Sequence, residues 1–156
     1  MKPGITMISL FLLALSANAF AQDRFGLGLI VGEPTGMSFK YWFDRERAID
    51  GAAAWSYSEN DSLQLHADYL IHNYDVFDTR ELPFYCGLGA RLKFKEDDGR
   101  GRNEHHDLFG IRIPLGVTYV FNEAPVDLFF EVVPVLDLAP DVDLDLNAAV
   151  GLRIYF

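Results

Sequence analysis

The chain has 156 residues, half of them hydrophobic, with 13 basic and 23 acidic side chains and a net charge of −10. That length supports one domain with a core rather than two, and a field of that sign disfavours nucleic acid as a partner. A single cysteine, Cys86, excludes an internal disulfide, so packing and hydrogen bonds must hold the fold.

In chain order, residues 1–21 read as a secretory leader: Lys2, an apolar run from Ile5 to Leu15, then small residues at Ala17, Ala19 and Ala21. The run is shorter than the ~20 apolar residues a membrane-spanning helix needs. The expected mature chain is therefore 22–156, exported by the Sec route with a charge of −11.

Beyond the leader, apolar residues recur at every second position, the period of a strand. Eight strands are predicted: Phe25 to Gly32, Gly36 to Phe43, Ala48 to Tyr57, Ser62 to His72, Phe84 to Lys95, Leu108 to Phe121, Val126 to Leu136 and Leu144 to Phe156. Turn-rich pieces separate them: EPTG, DRER, SENDS, NYDVFDTREL, EDDGRGRNEHHD, NEAP and DLAPDVD.

Sorted by parity, the strands have two unlike faces. One carries residues such as Leu27, Leu29, Phe39, Leu65, Leu88, Ile113, Phe130 and Leu152, and essentially no charge. The other carries glycine, alanine and an ionisable set: Lys40, Asp50, His66, Asp68, Arg91, Lys93, Arg112, Asp127, Glu131, Asp145 and Arg153. A soluble β-sandwich would bury the first face; a membrane barrel would turn it to lipid. Small residues on the polar face suit a crowded lumen, aromatic residues gather near strand ends, and strands of about nine to eleven residues match a tilted crossing. The predicted fold class is all-β: an eight-stranded antiparallel up-and-down transmembrane β-barrel preceded by a signal peptide. A secreted soluble β-sandwich that binds a ligand is the alternative.

The last strand, NAAVGLRIYF, resembles the C-terminal signature of Gram-negative outer-membrane β-barrels, with Val150, Leu152, Ile154 and Phe156 at the signature positions. That resemblance implies recognition by the barrel-assembly machinery. In strand number and length the chain is similar to eight-stranded barrels of the OmpA and OmpX type. The stretches GLGLIVGEPTGMSFKYW, LQLHADYLIHNYDVF, RIPLGVTY and APVDLFFEVVPVLDL resemble an uncharacterised family of bacterial outer-membrane barrels, a domain of unknown function. What the resemblance implies is a fold, with almost no function attached.

Three motifs hint at cofactors and fail. Gly26, Gly28 and Gly32 are spaced wrongly for a dinucleotide loop, and a turn follows where a helix should start. Asp141, Asp143 and Asp145 open like a calcium loop, but Leu146 and Leu152 stand where Gly and Glu are needed. Glu104, His105, His106 and Asp107 sit in a charged, loop-like stretch. No cofactor or metal is expected. His66 and Asp68 share a face, but Ser56, Ser58 and Ser62 lie in or beside a turn, so no hydrolytic triad is expected either.

Near-equal numbers of inward charges of both signs predict a mutual network filling the lumen, which argues against an open pore. The expected function is non-enzymatic: a structural or surface-interaction protein of the outer membrane, contacting lipid by its wall and an extracellular protein or surface ligand by its loops. The alternatives are a lipid-modifying enzyme and a narrow ion channel. With the N-terminus in the periplasm, EPTG, SENDS, EDDGRGRNEHHD and DLAPDVD face outward; NYDVFDTREL is then long for a periplasmic turn.

Overall fold

The structure, a computed structural model, describes residues 24–56, 62–95 and 107–156. The predicted leader, most of SENDS and nearly all of the charged stretch EDDGRGRNEHHD lie outside those residues.

Nine strands form one antiparallel sheet: β1 (Phe25–Gly32), β2 (Gly36–Trp42), β3 (Arg47–Ser56), β4 (Ser62–Asn73), β5 (Phe84–Lys95), β6 (Leu108–Arg112), β7 (Leu115–Val120), β8 (Val126–Ala139) and β9 (Asp143–Tyr155). Each pairs with its neighbours in sequence order except β6 and β7, which lie end to end between β5 and β8, and β9 returns to β1 with Leu29 opposite Leu152. The sheet is thus closed into a barrel, which removes the unpaired edges that an open sheet exposes. At the seam the Phe156 N–H donates to the Phe25 carbonyl at 2.8 Å.

The predicted strand Leu108 to Phe121 is interrupted, and β6 and β7 together fill one place in the wall. Pro114 has no N–H to give to the ladder, so regular pairing lapses there. The wall does not open: Ile113 N donates to Pro134 O and Gly87 N to Pro114 O, both at 3.0 Å. Eight predicted strands therefore become nine segments in eight wall positions. The other correction is β8, which runs past the predicted end at Leu136 to Ala139, so that Asp137 belongs to the wall rather than to a loop.

Two turns show their chemistry. Asp44 accepts from the N–H groups of Glu46 and Arg47 at 2.9 and 2.8 Å, and from Arg47 Nε at 2.6 Å, closing the β2–β3 hairpin. Gly32 has φ +133°, and its N–H and C=O are both bonded to the Thr35 hydroxyl. The long β4–β5 connection has a structural reason for its length. Glu81 and Pro83 accept from Val120 and Thr118, so its second half continues the wall, while Tyr74 donates to the Arg45 carbonyl at 2.7 Å.

Which face is inside is now decided. Leu29, Leu88, Leu146 and Phe130 are 64%, 62%, 64% and 51% exposed, while Arg112, Lys40, Arg153, Asp68 and Glu131 are all within 2% of complete burial. Glycines on the inner face make room for large neighbours. A Cβ on Gly116 would meet Tyr85, one on Gly151 would meet Phe129, and one on Gly26 would meet Tyr155.

Candidate functional site

The alternation of each strand delivers one polar residue inward every second position, so the lumen is a column of side chains with two ends. The loop end carries the β1–β2, β3–β4, β5–β6 and β8–β9 connections, and the turn end carries the other hairpins and both described chain ends.

Nearest the loop end, Arg91 from β5 holds Asp137 of β8 with a two-pronged contact, Nε to Oδ1 at 3.0 Å and Nη2 to Oδ2 at 2.5 Å. The same Nη2 reaches Asp145 of β9 at 3.3 Å. With its amide oriented to suit both neighbours, Asn147 donates to Asp145 Oδ2 at 3.0 Å and accepts from Arg91 Nη1 at 3.1 Å. Beside these groups lies a recess of about 440 Å³ lined by residues that include Gln64 and Lys93.

In the middle, Arg112 Nε donates to Asp68 at 3.0 Å and its Nη2 lies 3.6 Å from Glu131. Glu131 also accepts from the Tyr85 hydroxyl at 2.9 Å. His66 Nε2 is 3.9 Å from Asp68, whose carboxylate is already engaged by Arg112.

Toward the turn end, Arg153 donates to Ser38 at 2.9 Å and Asp50 at 2.8 Å, and its guanidinium lies 3.8 Å over the Phe129 ring. Tyr155 donates to Asp127 at 2.5 Å. Lys40 is fully buried with its Nζ 2.8 Å from His72 Nε2 and 4.2 Å over the Trp42 ring. A charged lysine can only donate, so His72 accepts through Nε2 and carries its proton on Nδ1, which donates to the Glu46 carbonyl at 3.1 Å. Trp42, His72 and Tyr85 pack at centroid distances of 4.3 and 5.3 Å, forming an aromatic floor.

Every member of the expected ionisable set points inward. Nine are buried, whereas Lys93 is half-buried and Asp145 keeps nearly half of its side chain exposed. Sequence reasoning missed Ser38, His72, Tyr85, Asp137, Asn147 and Tyr155 as members of the network. Parity alone would have found several of them: Tyr85 is in phase with Gly87 and Arg91, and Tyr155 with Arg153. Among the described residues no group of three His, Cys, Asp or Glu side chains is placed to hold a metal ion. Among the signature residues, Val150 and Leu152 face outward, while Ile154 and Phe156 are half-covered at the seam.

A family model described as "Protein of unknown function (DUF3996)" matches residues 16–152. The structure of the N-terminal β-barrel domain of Pseudomonas aeruginosa OprF is similar, with a TM-score of 0.66 at 15% identity over 86% of this chain and 98% of that one. Neisserial surface protein A, NspA, gives a TM-score of 0.51 at 17% identity over 85% and 94%. No curated protein matches. At such identities the likeness is one of fold.

Proposed function

The chain belongs to the DUF3996 family of proteins of unknown function, and from that premise we propose that it is an integral barrel of a Gram-negative-type outer membrane. Its role is structural or surface-interacting, carried by the loop end and by the recess beneath it. The observation that supports this most is the inverted hydropathy of the wall: leucine and phenylalanine outward, arginine and aspartate inward. A soluble protein does not present a continuous apolar belt of this kind to water, whereas lipid requires it. Tyr41, Phe43, Tyr69, Tyr119 and Phe121 are exposed toward the turn end and fit an interfacial girdle.

On this reading the leader 1–21 directs Sec export, and Val150, Leu152, Ile154 and Phe156 present the last strand to the barrel-assembly machinery. The loop end then faces outward and the turn end faces the periplasm. The ion pairs crossing the lumen support a filled interior rather than a conducting pore. The commitment of Asp68 to Arg112, with no serine hydrogen-bonded to His66 among the described residues, supports a non-enzymatic role.

Cell fractionation followed by gel migration of unheated and boiled detergent extracts tests the proposal. The expected result is recovery in the outer-membrane fraction with a faster unheated band. Recovery in the soluble periplasm with a single band would overturn it.

A further inference from the structure

We propose that the loop-end recess binds a polyhydroxylated ligand, a saccharide group. This inference rests on the loop end being the outward face.

The recess of about 440 Å³ falls in the range of small-ligand clefts, roughly 300–1,000 Å³. Its wall includes Gln64, Arg91, Asp145 and Asn147, planar polar groups of the kind that pair with neighbouring hydroxyls. Three of them are already locked. Arg91 is held by Asp137 and Asp145, and Asn147 bridges Asp145 and Arg91. A wall fixed in advance loses little side-chain entropy when a ligand arrives.

The fourth carries an unmet demand. Gln64 is 8% exposed, and among the described residues its Nε2 has no hydrogen-bond partner. A buried donor without an acceptor is costly, and a ligand oxygen would relieve that cost. The matching acceptor is Asp145: its Oδ2 takes Arg91 and Asn147 and its Oδ1 the Leu146 N–H at 2.9 Å, yet the side chain stays 46% exposed and each oxygen has more than one lone pair to offer. One free donor and one accessible acceptor in the same recess describe a partner that both accepts and donates, as a hydroxyl does. Within the wall Arg91 is offset by Asp137 and Asp145, and Lys93 and Glu33 add one charge of each sign to the lining, so the recess carries both signs rather than the single-signed field a simple ion would need. The polar lining gives a purely apolar molecule little to bury. Beneath the recess the Arg112 and Arg153 layers and the aromatic floor of Trp42, His72 and Tyr85 occupy the lumen, so a ligand enters and leaves by the loop end.

A saccharide could come from solution or from the sugar headgroup of a glycolipid in the same leaflet. The test uses the full chain, refolded in detergent and shown to be heat-modifiable. Lactose and the deacylated core oligosaccharide of lipopolysaccharide are titrated separately by saturation-transfer NMR and calorimetry. The expected result is saturable binding of at least one probe, weakened about tenfold or more by Gln64→Leu and by Asp145→Ala in variants that keep the heat-modifiable band. Binding of lactose indicates a free sugar, and binding of the core oligosaccharide alone a lipid-borne one. A folded, heat-modifiable barrel that binds neither probe at ~10 mM, or whose binding is untouched by both substitutions, overturns the saccharide site and leaves the outer-membrane reading standing. Recovery of the chain in a soluble fraction overturns that reading instead.

Discussion

Arg112 is wholly removed from solvent, and Asp68 and Glu131 come to it from strands on other parts of the wall. Taking charges out of water is costly, and what offsets the cost is mutual pairing in a low-dielectric interior. Removing Asp68 leaves Arg112 facing only Glu131 at 3.6 Å, so Asp68→Asn is expected to lower stability by roughly 3 kcal/mol. Unfolding of the refolded barrel in urea, followed by the fluorescence of Trp42 and Trp55, measures this. An unchanged midpoint would show that Asp68 does not neutralise Arg112. Crowding is the second constraint at this scale. Gly116→Val places a side chain where the Tyr85 ring lies and is expected to cost roughly 1–3 kcal/mol, read as a lower midpoint in the same experiment. Glycine and arginine were both legible from parity. Tyr85 and Tyr155 share that phase, but an aromatic ring on a strand suits either lipid or lumen, and what parity could not supply is their partners, Glu131 and Asp127.

The β2–β3 hairpin and the closing strand carry the predictions at the level of elements. Asp44 lies in a water-exposed turn, and its hydrogen bond from Arg47, with the backbone N–H groups of Glu46 and Arg47, holds its carboxyl below the usual carboxylate range. A depressed acid contributes stability that is present above its unfolded pKa, ~3.9, and is lost as pH falls through the folded value. Asp44→Asn is therefore expected to flatten the stability profile below about pH 4, checked by urea midpoints across the acid range. A profile identical to that of the native chain would remove Asp44 from the acid response. At the seam, β9 is the closing strand, and Phe156 follows it directly. Deleting Phe156 is expected to reduce the amount of barrel recovered from outer membranes several-fold, while refolding in detergent persists through the remaining β1–β9 pairs. Equal recovery would remove Phe156 from assembly. The break at Pro114 shows where pattern reading fails by element: alternation continues unbroken from Leu108 to Phe121, and only the missing N–H interrupts pairing.

For the whole molecule, the ledger of polar and apolar surface is inverted relative to a water-soluble domain. The buried set includes four cations, Lys40, Arg91, Arg112 and Arg153, against five acids, Asp50, Asp68, Asp127, Glu131 and Asp137. On the proposed filled-lumen reading, this near-balance lets the column hold together without mobile counter-ions, and the three layers of pairs leave little open path. In planar bilayers the native protein is expected to give no stepwise current at ~100 mV, a potential worth about 2.3 kcal/mol per charge crossed. Regular single-channel steps would overturn the filled-lumen reading.

Sequence by itself determined the strand class, the two unlike faces and nearly every residue on each, because a period of two is imposed by the backbone at every position. It also carried the family resemblance through the stretches that surround those faces. Two things waited for the tertiary structure. The first was which face lies inside, since alternation reads the same for a sandwich and for a barrel until the sheet closes on itself. The second was who pairs with whom. Arg91 meets Asp137 and Arg153 meets Asp50 across 46 and 103 residues, and such distances are bridged by the register and closure of the ring, which no local pattern records.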